Sequence, residues 1–185
     1  AVAGERHNVD LNDKKRLIKL AINLDISFQA ETASGMTVFL EGEDISGDIA
    51  LERTAARASV LALYSEVRTA LTERQRLFAI APGLVADGRD MGTVVFPDAV
   101  LKLFLTATIE TRAERRYKQL LLRGDNVSLP AIWRQLQKRD QRDSERSVSP
   151  LVPAIDAIKL DSTDMSVEEV VDALMDMIVA RGICN

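Results

Sequence analysis

Apolar residues first recur at helical spacing: Leu17, Ile18, Ala21 and Leu24 fall on one face of a segment running from Asp10 to Leu24. The period then changes. Ile26-Ser27-Phe28 alternates as a strand does, Ser34-Gly35 supplies a turn, and Thr37 to Leu40 reads as the next strand. A hairpin over 25–41 is predicted. The acidic, glycine-marked stretch EGEDISGDI (41–49) predicts a loop or a third short strand. Two helices follow, about 50–63 and 65–79, with Ser65 as the expected N-cap of the second.

After Pro82-Gly83 the pattern becomes one of short apolar runs separated by helices. Leu84-Val85-Ala86, Leu101 to Leu105 and Ala157 to Leu160 are the predicted strands; 109–122, 130–146 and 166–180 are the predicted helices. Ser166 and Glu169 stand at capping-box spacing at the start of the last helix. Strands alternating with helices predict parallel βαβ units, so the fold class is α/β. The hairpin region 25–63 reads as an insert in that core. The expected layout is a helical lead-in (1–24), the insert and its helices (25–80), core strands with a helix and a lid (81–149), and a last strand and helix (150–185).

The 185 residues suit one domain, or one domain with a small insert. Hydrophobic residues are 46% and aromatics only 4%, so aliphatic side chains must fill the core. A net charge of −4 argues against holding nucleic acid by bulk charge, although local arginine clusters can still bind a small anion. Cys184 is the only cysteine, which rules out an intramolecular disulfide. No apolar run approaches the roughly 20 residues that cross a bilayer, and no signal peptide is visible. A soluble cytoplasmic protein, free of membrane and nucleic acid, is the expectation. The chain begins at Ala1, so a processed or truncated start is expected too.

Three clusters carry candidate chemistry. In open α/β sheets ligands gather beyond the carboxyl ends of strands, and VADGRD (85–90) sits at such an end. Gly88 is expected to turn the chain sharply, with Asp87, Arg89 and Asp90 projecting over the crevice. Arginine suits a phosphate because its planar fork gives two parallel hydrogen bonds. Aspartate suits a hydroxyl, an exocyclic amine, or Mg²⁺ through water. A solvated turn with an internal ion pair fits the tetrapeptide equally well. In QKRDQRDSERSVSP (137–150), Arg139, Asp143 and Arg146 share one helical face beside Arg142. An exposed face laced with ion pairs explains that spacing too, but the run ends at a proline-bounded loop where a mobile lid would hinge. In ETRAERRYKQLLLRG (110–124), Arg112, Arg115 and Arg116 fall on adjacent turns. His7 stands alone, Trp133 has the spacing of a packing residue, and no Cys/His metal pattern occurs.

Together, VFLEGEDISGDI, VADGRDMGTVVFPDA, KRDQRDSERSVSPLVPA and LDST, in this order and spacing, resemble the bacterial cytidylate kinases, a family of nucleoside monophosphate kinases. The resemblance covers nearly the whole chain, and DGRDMGTVVFP followed by RDxRDxxR is its most specific part. It implies a P-loop kinase-type, five-stranded parallel sheet with helices on both faces, a small β-rich CMP-binding insert, and an arginine-bearing lid over ATP. It implies transfer of the ATP γ-phosphate to CMP or dCMP with Mg²⁺ present, by a monomer. By motif position, Ser59, Arg68 and Asp90 would read the cytosine and Arg89 would hold the CMP phosphate. Asp143 would take the ribose hydroxyls, while Arg139 and Arg146 would face phosphates. Asp87 would orient the Mg²⁺ water shell. Arg112, Arg115 and Arg116 would neutralise the transferring phosphoryl group, a reaction that works by positioning and charge.

One departure stands out. The family opens with a strand, a glycine-rich P-loop and a helix, whereas no G-x-x-x-x-G-K-[ST] occurs in these 185 residues. The sequence reads as a kinase lacking its N-terminal strands, with 84–87 and 101–105 deprived of a shared neighbour. A noncatalytic nucleotide-binding fragment is the alternative reading.

Overall fold

Asp13 starts the first long helix, its carboxylate accepting a hydrogen bond from the Arg16 N–H at 3.1 Å. The helix, α2 (Lys14–Ile22), begins later than the apolar pattern predicts. Asp10 competes with it: its carboxylate accepts from the Asn12 N–H at 2.7 Å and its carbonyl from the Asp13 N–H at 3.0 Å, closing a turn. A short helix, α1 (Val2–Arg6), precedes it. The structure is a computed structural model describing residues 1–31, 35–144 and 151–183; the side chains of 30, 31, 35, 52 and 142–144 also lie outside the description. The chain divides into two compact units, Ala1–Val85 and Ala86–Asn185.

In the first unit, β1 (Ile26–Glu31) and β2 (Gly35–Leu40) form the predicted hairpin, antiparallel with Ile26 opposite Leu40 and Phe28 opposite Val38. Both alternatives for 41–49 are partly realised. Glu43–Asp44 forms a two-residue third strand, β3, and Ser46–Ile49 a single helical turn, α3. The inward residues Val38, Leu40 and Ile45 pack with Val2 and Ala3. Burying a side chain such as Leu40 stabilises by about 1.5–3 kcal/mol. A second cluster joins Val9, Leu17 and Ala21 to Leu61 of α4 (Glu52–Leu61) and to Val67 and Ala70 of α5 (Ser65–Arg76). Ser65 is not the N-cap. Tyr64 holds that position, and Ser65 is the first helical residue, its hydroxyl donating to the Glu66 carboxylate at 3.0 Å.

In the second unit, β4 (Leu103–Thr106) runs parallel to β5 (Ile158–Asp161), with Leu103 opposite Ile158 and Thr106 opposite Asp161. Three helices accompany them: α6 (Ile109–Leu122), α7 (Leu129–Ser144) and α8 (Val167–Ala180). Thr108 caps α6 by accepting from the Thr111 N–H. Pro130 occupies the first turn of α7, where its missing N–H costs nothing. The predicted capping box of α8 is complete, Ser166 and Glu169 each bonding the other's backbone N–H.

The strand expected at Leu84-Val85-Ala86 does not form. The segment pairs with no strand among the described residues, and Val85 is 95% exposed. A strand exists through its ladder partners, so an apolar run without a neighbour stays irregular. Of the five-stranded parallel sheet that the resemblance implies, the described residues pair β4 and β5.

Candidate functional site

The DGRD segment leads into a five-residue π-helical turn, Met91–Val95. The Asp90 carbonyl accepts from the Val94 N–H at 2.8 Å and the Val95 N–H at 3.2 Å, and the Met91 carbonyl from Phe96 at 2.6 Å. Wide turns of this kind frequently occur at functional sites. The chain bends over Gly88-Arg89-Asp90, as the sequence predicts, and Gly88 makes that bend without a left-handed backbone angle. Its requirement is space: a Cβ on Gly88 would stand 2.9 Å from Cγ and Cε of Met91. Gly92 is likewise crowded by the Lys102 stem, 3.2 Å from where its Cβ would be.

Lys102 anchors the far side of this turn. Its side chain is 9% exposed; its ammonium donates to the Pro97 carbonyl and to both Asp156 oxygens, at 3.0 and 2.7 Å. That hydrogen bond is the first cause holding the Asp156 carboxyl below its usual range. Sequence reasoning passed over Lys102, because its carboxylate partner lies 54 residues away in the chain.

The three α6 arginines have separate fates. Arg112 forms a fork-to-fork pair with Asp140 of α7, Nη1 to Oδ1 at 3.0 Å and Nη2 to Oδ2 at 2.6 Å, while its Nε donates to the Ala107 carbonyl at 3.1 Å. Arg115 donates to the Ser162 hydroxyl at 3.1 Å, to the Ser162 carbonyl at 2.5 Å and to the Met165 carbonyl at 2.9 Å. Arg116, half-buried, has no hydrogen-bond or ion-pair partner among the described residues. Asp140 was not among the candidates. Its signal was the Arg-Asp doublet at 139–140.

The electrostatics converge on that carboxylate. The Arg112 hydrogen bonds are the first reason the Asp140 carboxyl lies below its ordinary range; partial burial opposes them, and the charges of Arg112, Arg89 and Arg139 add to the lowering. The Arg112 guanidinium is pushed up in turn, chiefly by the same hydrogen bonds. One acid thus lies within the fields of arginines from the DGRD loop, α6 and α7.

The remaining candidates are distributed as follows. Asp87 is exposed and has no partner among the described residues. Arg89 and Asp90 are half-buried and engaged. Arg139 is exposed on α7; Asp143 lies in the same helix with its side chain outside the described residues, and Arg146 falls outside them altogether. Ser59 and Arg68 belong to the first unit, on α4 and α5. The Ser59 hydroxyl donates to the Ala55 carbonyl at 3.0 Å, and Arg68 is half-buried and engaged. Among the described residues no group of three or more metal-ligating side chains gathers, and no helix is long and apolar enough to cross a membrane.

Comparison with known proteins adds an independent line. The sequence profile of the family described as cytidylate kinase matches residues 1–180. A cytidylate kinase of Stutzerimonas stutzeri (strain A1501) is 51% identical over 186 aligned residues, covering 100% of this chain and 81% of the relative. The cytidylate kinase of Pseudomonas paraeruginosa (strain DSM 24068 / PA7) is 52% identical over 98% of the chain and 80% of its own length. That of Pseudomonas aeruginosa (strain LESB58) is 52% identical over 95% and 77%.

Proposed function

The chain belongs to the cytidylate kinase family, and from that premise we propose that it transfers the γ-phosphoryl group of ATP to CMP or dCMP. A CMP phosphate oxygen attacks the γ-phosphorus, the bond to the ADP oxygen breaks, and CDP and ADP leave. The observation that carries this reading is the arginine cluster of the second unit. Arg112 grips the Asp140 carboxylate with its fork, and the charges of Arg89 and Arg139, from two other segments, add lesser contributions at that same carboxylate. A cluster that can neutralise a carboxylate suits a phosphate, and phosphoryl transfer asks the protein chiefly for positioning and charge.

In this reading Arg89 holds the CMP phosphate with its fork, while Asp90, Ser59 and Arg68 read the cytosine. Asp143 takes the ribose hydroxyls, with Arg139 and Arg146 on phosphates. Arg116 meets the transferring group without giving up a present partner among the described residues, whereas Arg112 and Arg115 contribute through the N–H groups their present bonds leave over. A metal fits as a nucleotide-bound Mg²⁺: Asp87, exposed and without a partner among the described residues, suits its water shell better than direct ligation. Bound Mg²⁺ would spread the charge of the phosphates. The cytoplasm is the compartment that suits such substrates.

A second reading is supported by one feature. The 185 residues contain no G-x-x-x-x-G-K-[ST], the loop whose backbone N–H groups and lysine cradle the β- and γ-phosphates. On that ground the chain taken alone binds CMP weakly and does not turn it over at a useful rate. The experiment is coupled-enzyme detection of CDP, with the purified 185-residue chain and with the full-length gene product. CDP from the full-length product alone supports the kinase reading and the inactivity of the shorter chain. Turnover of about 1–100 s⁻¹ by the 185 residues would overturn that inactivity. No CDP from the full-length product would overturn the kinase itself.

A further inference from the structure

Asp140 is not among the site residues the sequence predicts, yet it holds the Arg112 fork. Its two oxygens hold Arg112 Nη1 and Nη2 at 3.0 and 2.6 Å, and the Ala107 carbonyl fixes Arg112 Nε at 3.1 Å. Three of the five guanidinium N–H groups are thereby spent on protein, and the plane of the fork is set from two sides. One N–H on each terminal nitrogen is left over for a phosphate oxygen.

The pair does not read as a device for stability. Its side chains are 37% and 39% exposed, and ion pairs so open to water contribute little to folding. It does join α6 to α7, the helix whose Arg139 and Asp143 are proposed to face the nucleotide.

Asp140 also stands within the fields of Arg89 and Arg139. A carboxylate there opposes an arriving phosphate by like-charge repulsion and moderates the repulsion among the arginines. These two effects act on different steps. The repulsion weakens nucleotide binding. The held fork serves the transition state, where charge on the transferring group must meet donors already in place.

We propose that Asp140 is a positioning residue for phosphoryl transfer, its carboxylate holding the Arg112 fork for the reacting phosphate at some expense in affinity for CMP. This rests on the kinase reading above. It predicts that loss of the carboxylate moves binding and turnover in opposite directions, which a simple folding defect does not do.

The test is Asp140→Asn in the full-length protein, with Asp140→Glu as the conservative variant. CDP formation gives kcat, calorimetric titration gives CMP affinity, and thermal unfolding gives Tm. Asparagine keeps the size and one acceptor oxygen but removes the charge. Removing one like charge several ångströms from a phosphate in water-like surroundings tightens CMP by about threefold. Releasing an arginine that serves the transferring group lowers kcat by about tenfold or more. Glutamate should restore much of kcat with CMP affinity near that of the parent. Unchanged kcat in Asp140→Asn overturns the proposal; so does weaker CMP binding, or a fall in kcat that follows Tm and is not rescued by glutamate. A parent protein that makes CDP normally while Asp140→Asn behaves like it defeats this inference alone. A parent protein that makes no CDP defeats the kinase reading, and the inference with it.

Discussion

The Arg115 guanidinium holds Ser162 twice, through its hydroxyl at 3.1 Å and its carbonyl at 2.5 Å. Ser162 is 1% exposed, and its hydroxyl in turn donates to the Thr106 carbonyl at the end of β4 at 3.0 Å, while its N–H reaches the same carbonyl at 2.8 Å. One buried serine therefore ties the carboxyl end of one parallel strand to α6. Ser162→Ala should destabilise the protein by about 1–3 kcal/mol, because it strips partners from buried polar groups. Urea unfolding reads this; a midpoint unchanged from the parent would show that the hydroxyl is dispensable.

The Lys102–Asp156 pair predicts an acid dependence of stability. The Asp156 carboxyl is lowered, first by its hydrogen bond from Lys102. A depressed carboxyl stabilises the folded state above its unfolded pKa, and the contribution fades as pH falls through the folded value. Thermal unfolding from pH 7 down to pH 2 should therefore show a loss of Tm below the ordinary carboxylate range. Asp156→Asn should flatten part of that loss. The same slope in the variant would assign the acid sensitivity to other carboxylates.

Gly88→Ala should injure the DGRD loop through Met91. The added Cβ meets Met91 Cγ and Cε at 2.9 Å, closer than ordinary contact. The Met91 side chain must swing aside to admit it, and the displacement falls beside Arg89. CMP affinity should drop, and the double variant Gly88→Ala/Met91→Ala should recover much of it. If the single variant binds CMP like the parent, the loop yields without harm.

Base recognition can be separated from phosphate recognition. Ser59→Ala and Arg68→Ala in the full-length protein should weaken CMP by about 1–3 kcal/mol each while leaving ATP nearly untouched, since an unpaired polar group is left at the base. Titrations with both nucleotides decide it. Equal losses for CMP and ATP would move both residues out of the base site.

Arg89→Lys keeps the charge and removes the planar fork. CDP formation should fall steeply even though a cation remains. Nearly full kcat/KM in the lysine variant would make Arg89 a structural residue.

Local signals determined the elements of this protein. The alternation at Ile26-Ser27-Phe28 and the Ser166–Glu169 box depend on neighbours a few residues apart, and β1 and the cap of α8 follow them; of the turn expected at Ser34-Gly35, Ser34 lies outside the described residues and Gly35 opens β2. Where local signals competed, boundaries moved: Asp10 and Asp13 draw the start of α2 inward, and Tyr64 displaces Ser65 from the cap of α5. The DGRD and RDxRDxxR motifs were legible because their spacing is written along the chain. Whether a run becomes a strand was not legible. Leu84-Val85-Ala86 is as apolar as Leu103-Phe104-Leu105, yet the second has β5 beside it and the first has no ladder partner among the described residues. Only tertiary structure chose the partners of the charged residues. Arg112 met Asp140, Arg115 met Ser162, and Lys102 met Asp156 across 28, 47 and 54 residues of chain. A charged side chain carries no record of its partner in sequence spacing, because that choice is made by the packing of helices and strands, which brings distant segments within the 3 Å where a hydrogen bond forms.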